Sequence, residues 1–415
     1  METGCCVVGG GPAGVFLSLL LARSGISVTL LERQDDFDRD FRGDTLLPST
    51  LECLFDIGLA DGVLSLPHSK LERIVLKSGN QTIPIADFRR VGSRFRYIAV
   101  LPQARLLEFL VREASVYPNF RLIRGANVSE LIQIGSAVHG VRCTVNGNVE
   151  EIRSVLVVGA DGRFSRLRQL AGLVPRNVSS SFEILWFRVG RRAAEADELA
   201  AVAGKSVVIM PVHAAGRNHF LVILDCVDYW QIGYVIPSGR YSEIRAAGIE
   251  LFREGIRSAL PPLRCAMADL TEWKQISRLT IQPSYLAAWH RPGLLMIGDA
   301  AHVMSPSGGV GINYAIQDAV VASRLLERPI RSGSVPLSRL AAIQRRRKWP
   351  VRAIQGFQAF EHHWIVARAL SSRQSYVLPG GLRMLLRNGV VQSFLTRFIA
   401  FGLWRVRINK GLVEK

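Results

Sequence analysis

The sequence predicts an α/β protein: a doubly wound parallel sheet built from discontinuous segments, a smaller inserted sheet-rich domain, and a helical C-terminal region. Three observations predict this. A glycine-rich turn joins an apolar strand to a helix and a second strand by residue 32. Between about 180 and 237 the pattern becomes short strands divided by turns. At 294–297 a short apolar run returns, followed by glycines and a helix, and past about 338 the chain reads helical and basic. On this reading the first domain takes residues 1–70, 97–175 and 276–335, the inserted domain 71–96 and 176–275, and the C-terminal region 336–415.

The opening elements carry the strongest signal. Cys5–Val8 is a buried strand, Gly9 to Gly14 a turn, Val15–Arg23 a helix, and Ile26–Leu31 a second strand that ends at Glu32. That is a βαβ start of the Rossmann type. A helical pattern spans about 45–60, strands are expected at Ile74–Leu76 and Thr82–Ile85, and a helix runs from Ala104 to about Ala114. Alternating segments follow near 120–158. The inserted domain reads as mostly antiparallel strands at Glu183–Val189, Ser206–Met210, His219–Leu224 and Trp230–Ile236, then a helix near Ser242–Ser258.

Bulk properties narrow the function classes. With 415 residues, 48% hydrophobic and 21% charged, the chain supports roughly two to three packed domains. No signal-peptide pattern opens it, and its longest apolar runs fall short of the ~18 to 20 residues a spanning helix needs. Its six scattered cysteines, with no C-x-x-C pair, suggest reduced thiols in a cytoplasmic setting and weigh against zinc or disulfide chemistry. The net charge of +18 points to an anionic partner. No nucleic-acid module accompanies it, so no nucleic-acid partner is expected. The late run Arg345–Lys348 leaves a peripheral contact with an anionic membrane as an open expectation.

Three separated segments suggest one dinucleotide site. In Gly9-x-Gly11-x-x-Gly14, the first glycine permits a tight turn, the second a close approach of backbone to pyrophosphate, and the third helix–sheet packing. Pro12 and Ala13 open the helix whose N-terminus faces the phosphates, and Glu32, followed by Arg33, stands where a carboxylate takes ribose hydroxyls. Further on, a buried strand delivers Asp161, which reads alternatively as a plain cap of the turn before Ser165 and Arg168. Last, a strand ends at Asp299, and Pro306, Gly308, Gly309, Val310, Gly311, Ile312 and Asn313 open a helix whose backbone N–H groups suit a flat, electron-rich ring. Taken singly, each also reads as a ligand-free turn.

Together these segments resemble the class A flavoprotein monooxygenases, the p-hydroxybenzoate hydroxylase-like aromatic hydroxylases, over roughly residues 3–330. The resemblance implies FAD, with Gly9, Gly11 and Gly14 at the pyrophosphate and Glu32 at the adenosine ribose. It also implies Asp161 supporting FAD and nicotinamide binding, Asp299 at the ribityl chain, and Pro306 to Asn313 along the isoalloxazine. Arg42, Gln103 and Val128 match weaker contact positions. The implied reaction is hydroxylation of an aromatic or similarly electron-rich molecule by molecular oxygen through a flavin C4a-hydroperoxide, with NADH or NADPH as transient reductant. Only one dinucleotide fingerprint is present, so no separate nicotinamide domain is expected.

No catalytic base is assigned. His213, His219, Asp225 and Tyr234 lie on or beside inserted-domain strands and are read, with His302, as structural. Halogenation is disfavoured because the strand Ile232–Pro237 lacks a tryptophan pair. Its Tyr234–Pro237 end loosely echoes prenyl-lipid reductases of the geranylgeranyl type, which leaves a prenylated substrate at a membrane surface as the alternative. A basic surface-binding protein using the fold only as a scaffold is the remaining class. Its one supporting feature is the alternation of Trp364, Phe394, Phe398 and Trp404 with arginines.

Overall fold

The computed structural model describes residues 1–37, 44–78, 81–178, 182–191, 204–214, 217–280, 282–371 and 377–408. Strand β1 (Glu2–Val8) leads through helix α1 (Pro12–Arg23) to β2 (Val28–Leu31). β3 (Phe120–Ile123), β4 (Asn148–Gly159) and β5 (Leu294–Met296) complete a parallel core in the order β5-β4-β1-β2-β3. Parallel neighbours need crossovers, and the helices that provide them bury both sheet faces. This explains why all four residues of β2 are buried and why the strands read as continuous apolar runs. An antiparallel hairpin, Asn127–Ile134 with Ala137–Val145, extends the first half of β4.

The second sheet has seven strands. Its order is Ser277–Thr280, Phe182–Gly190, Tyr229–Pro237, Arg217–Asp225, Ser206–Ala214, Arg73–Ser78 and Gln81–Asp87. Pairing is antiparallel throughout, except where Ser206–Ala214 meets Arg73–Ser78. The sheet extends past residue 275 through its edge strand Ser277–Thr280. Period-2 alternation gives it two buried faces. Leu185, Leu221 and Ile232 pack with the helix Ile249–Ala259, whereas Ile184, Trp186, Phe220 and Val235 face the first sheet and the C-terminal helices. The single helix expected near 242–258 is two, Tyr241–Ala246 and Ile249–Ala259. Gly248 sits between them at φ +92°, where a helix cannot continue.

The long helix α2 (Gly311–Arg331) follows the glycine loop, and α3 (Leu337–Glu361) packs against it. A π-helical turn, His362–Val366, ends α3; α4 (Gly380–Arg387) and α5 (Gly389–Phe401) then pack on the strand Gln81–Asp87. The C-terminal region therefore forms part of the core. Among the described residues no helix is long and apolar enough to cross a membrane. The basic run that suggested a lipid-facing stripe is also interrupted: Arg347 is 1% exposed while Arg345, Arg346 and Lys348 face solvent.

Candidate active site

A cavity of about 820 Å³ lies between the carboxyl ends of β1, β2 and β4 and the inner face of the second sheet. Clefts at strand ends of open α/β sheets are where such folds hold ligands. One half of this cavity is lined by the sequence-predicted turns.

The first turn owes its shape to its glycines. Gly9 stands at φ +107°, and a Cβ there would lie 2.4 Å from the Ala160 carbonyl oxygen. A Cβ on Gly14 would lie 2.0 Å from the Gly9 oxygen, so only glycine lets α1 sit this close to β1. Gly11 differs. Its missing Cβ meets nothing nearer than 3.9 Å and opens onto the cavity at the N-cap of α1, with Pro12 at the first helical position. That is a cradle for an anion, with unpaired helix N–H groups at its floor. Glu32 is 4% exposed and holds the turn: its carboxylate accepts from Gly10 N at 2.7 Å and Gln34 N at 2.9 Å. Ala13 and Arg33 complete this wall, and Gln103 and Val128 lie on the same cavity. Arg42 lies outside the described residues.

Asp161 faces the cavity, yet its carboxylate is committed to the turn. Oδ1 accepts from the Ser165 hydroxyl at 2.5 Å and Oδ2 from Leu167 N at 3.0 Å. The alternative reading as a cap is thus realised. Burial raises its carboxyl, and these hydrogen bonds work the other way. Arg168, which the sequence names only as following this turn, binds the turn to the third segment by donating to the Ala300 and Arg163 carbonyls at 3.1 and 2.6 Å. Asp299 lines the cavity, and among the described residues no donor reaches its carboxylate. An acceptor left free at the end of a strand suits a hydroxylated chain.

The glycine loop follows. Gly308 and Gly309 stand at φ +75° and +62°, and a Cβ on Gly309 would lie 2.2 Å from Thr45 Oγ1. Pro306, Gly308, Gly309, Val310, Gly311 and Ile312 all line the cavity, and α2 starts there. Asn313 does not line it, and its side chain is taken up elsewhere. It is fully buried and its amide is saturated: Oδ1 accepts from Leu47 N at 2.8 Å and Thr50 Oγ1 at 2.7 Å, while Nδ2 donates to the Thr45 and Gly309 carbonyls at 3.0 and 2.9 Å. An amide can make about four such bonds, so none is left for a ligand. Asn313 fastens the loop to residues 45–50 instead.

Several residues that border the cavity or anchor its loop carry no local sequence signal. Asp44 borders the cavity, accepts from Gln103 N at 3.1 Å and lies 3.5 Å from Arg188. Burial pushes its carboxyl up to about 6, against the pull of these two partners. Behind the glycine loop, Asp318 on α2 is fully buried. It meets His302 Nε2 at 2.6 Å, Arg347 Nε at 2.6 Å and Gly298 N at 3.0 Å. Burial opposes its ionisation, but His302 and Arg347 hold its carboxyl below the usual range. His302 is accordingly structural. On the second sheet His219 stacks on Tyr234 with ring centroids 4.8 Å apart, and Tyr234 in turn meets Phe252 on the face turned away from the cavity; Asp225 pairs with Arg191 at 2.6 Å. The side chain of His213 lies outside the described residues.

The other half of the cavity is apolar. The second sheet presents Ile74, Leu76, Ile184, Trp186, Phe220 and Val222 to it, and the C-terminal helices present Ile354, Phe357, Leu382, Leu386, Leu395 and Ile399. The glycine cradle, the unpaired Asp299 and the glycine loop along the polar half would suit FAD, leaving the apolar half for a second molecule.

Comparisons with known proteins agree with this geometry. The FAD binding domain family matches residues 2–355. A 6-methylpretetramide 4-monooxygenase of Streptomyces rimosus is 32% identical over all of this chain and 96% of its own length. A para-nitrophenol 4-monooxygenase of a Pseudomonas species is 24% identical, covering 80% of each chain. Among solved structures, p-nitrophenol 4-monooxygenase from Pseudomonas putida superposes with a TM-score of 0.76 at 21% identity, covering 97% of this chain and 100% of its own. From its motifs, its folded cradle and these relatives, the chain belongs to the FAD-dependent aromatic monooxygenases.

Proposed function

We propose that this enzyme hydroxylates a largely apolar, multi-ring phenol and draws its electrons from NADH or NADPH visiting the same cleft. The observation that carries this is the continuity of one cavity from the glycine cradle into the apolar chamber. FAD, when bound, supplies the redox chemistry and the activation of oxygen. The chain's own residues do the rest. Gly9 and Gly14 shape the turn so that Gly11 would admit the pyrophosphate, Glu32 would hold that turn at the ribose end, Asp299 would accept from the ribityl hydroxyls, and the loop Pro306–Ile312 would take the ring. Asp161 and Arg168 hold the second turn in register. The apolar walls exclude water and place an electron-rich ring, the class of substrate that electrophilic oxygen transfer requires. The name of the Streptomyces relative, an oxygenase of 6-methylpretetramide, supports a substrate larger than a single-ring phenol.

The test is a panel of fused-ring phenols, single-ring phenols and prenylated quinones screened for stimulation of NADH and NADPH oxidation, with ¹⁸O₂ tracing. Fused-ring phenols are expected to accelerate oxidation most and to gain one labelled oxygen. Turnover of a prenyl lipid without oxygen would instead establish the reductase alternative.

A further inference from the structure

The chamber has a polar corner where the end of α3 meets the glycine loop. Gln358, Glu361 and His362 stand at i, i+3 and i+4 on one helix face, and all three bind Ser305–Ser307. Gln358 Nε2 donates to the Ser305 and Ser307 carbonyls at 2.9 and 2.8 Å, and its Oε1 accepts from Ser305 N at 3.2 Å. His362 Nε2 lies 2.9 Å from the Ser305 hydroxyl, which accepts from Ser307 N at 3.3 Å. The Ser307 hydroxyl donates to Glu361 Oε2 at 2.6 Å. Among the described residues no donor reaches the other oxygen of Glu361, no cation lies against it, and Glu361 borders the chamber. His362 brings no charge, because burial holds its imidazole down at about 4; it packs edge-on to Phe182 at 4.5 Å. A carboxylate at the edge of an apolar cavity with no counter-ion is unusual, since buried charges are normally paired. Here α3 also gives way to a π-helical turn directly after Glu361, a distortion frequent at functional sites.

We propose that Glu361 is the group that receives the substrate's phenolic hydroxyl, accepting its hydrogen bond and its proton. The O–H bond breaks toward Oε1, the electron pair stays on the phenolate oxygen, and the ring becomes richer in electrons, as electrophilic oxygen transfer demands. Ser307 keeps its bond to Oε2 and sets the carboxylate against the loop. Burial raises the Glu361 carboxyl, which brings it nearer to a phenol in proton affinity. This inference rests on the aromatic-hydroxylase reading.

The test uses purified holoenzyme and the chromophoric fused-ring phenol alizarin, with its dissociation constant followed by difference absorbance across pH. Wild type is expected to bind best between two limbs. Affinity falls on the acid side as Glu361 takes up a proton, and on the alkaline side as probe and carboxylate become two like charges. Glu361→Gln should keep its flavin, lose the acid limb and bind about tenfold or more weakly at neutral pH, the scale of a hydrogen bond to a charged group. Ser307→Ala, which removes a donor to the carboxylate, should move the acid limb to higher pH. Unchanged affinity and an unchanged acid limb in Glu361→Gln would overturn the proposal, as would a flavin-loaded wild type that does not bind the probe. A purified protein without flavin would be a separate failure, that of the underlying enzyme reading.

Discussion

The two halves of the one cavity are built on opposite principles. The half proposed for the cofactor is built largely on backbone: three glycines, a helix N-terminus and strand-end carboxylates. The half proposed for the substrate is built on side chains: apolar groups from the second sheet and three C-terminal helices, far apart in sequence, and the carboxyl of Glu361. The first can be altered by a single methyl group; the second tolerates change in proportion to volume. Asp318 and Arg347 join the two, since they tie α2, which carries the glycine loop, to α3, which walls the chamber.

Breaking that joint should have the largest effect. Arg347→Met leaves Asp318 buried with one partner fewer, a loss on the order of 3–5 kcal/mol that thermal melts will register. The carboxyl of Asp318 is held low, so the pair's contribution is present above the ordinary carboxylate value of about 4 and fades as pH falls below it. A melting temperature that Arg347→Met leaves unmoved at pH 7 would separate the two halves energetically. Next come two alanines in one turn. Gly14→Ala drives a Cβ into the Gly9 carbonyl and should destabilise the fold by about 3 kcal/mol. Gly11→Ala meets only empty space, so the fold should survive while FAD binds at least about tenfold more weakly. Equal flavin content in Gly11→Ala and wild type would mean that this cradle holds no pyrophosphate.

The backbone half was legible because its constraints are local. Gly14 is a glycine because a Cβ there would strike the carbonyl of Gly9 five residues earlier, a steric reason that spacing alone reveals, and the strand before Asp299 brings it to the cavity. Legibility failed where a side chain answers to a distant partner. Asn313 stands in the right loop but spends its amide on residues 45–50, and Arg347 sits inside a basic run yet is the one member turned into the core. Asp161 shows both outcomes at once, a cavity residue whose carboxylate caps its own turn. Glu361 had no signal at all, because its meaning comes from the loop packed against it 54 residues away in sequence.

Two smaller effects sharpen the contrast. His362 is held neutral to about pH 4, whereas an unfolded histidine titrates near 6.5. Its folded value is depressed, so the unfolded chain takes up the proton first, and stability should drain away between about pH 6.5 and 4 by on the order of 2–3 kcal/mol. Denaturant titrations of His362→Gln should show that window flattened; an identical slope in both proteins would remove His362 from the account. Ile354→Val trims a fully buried chamber wall and should lower stability by about 1 kcal/mol and raise the KM for a ring substrate, with flavin content untouched. A loss of flavin there would show that the halves are not independent.

The central claim is that stretches far apart in the chain close around a single FAD, and flavin analysis of the purified protein tests it most directly. Denaturing the protein should release FAD equimolar with the chain, and Asp299→Ala should release much less. A colourless protein that takes up no FAD from excess cofactor, or an Asp299→Ala variant with full occupancy, would contradict it.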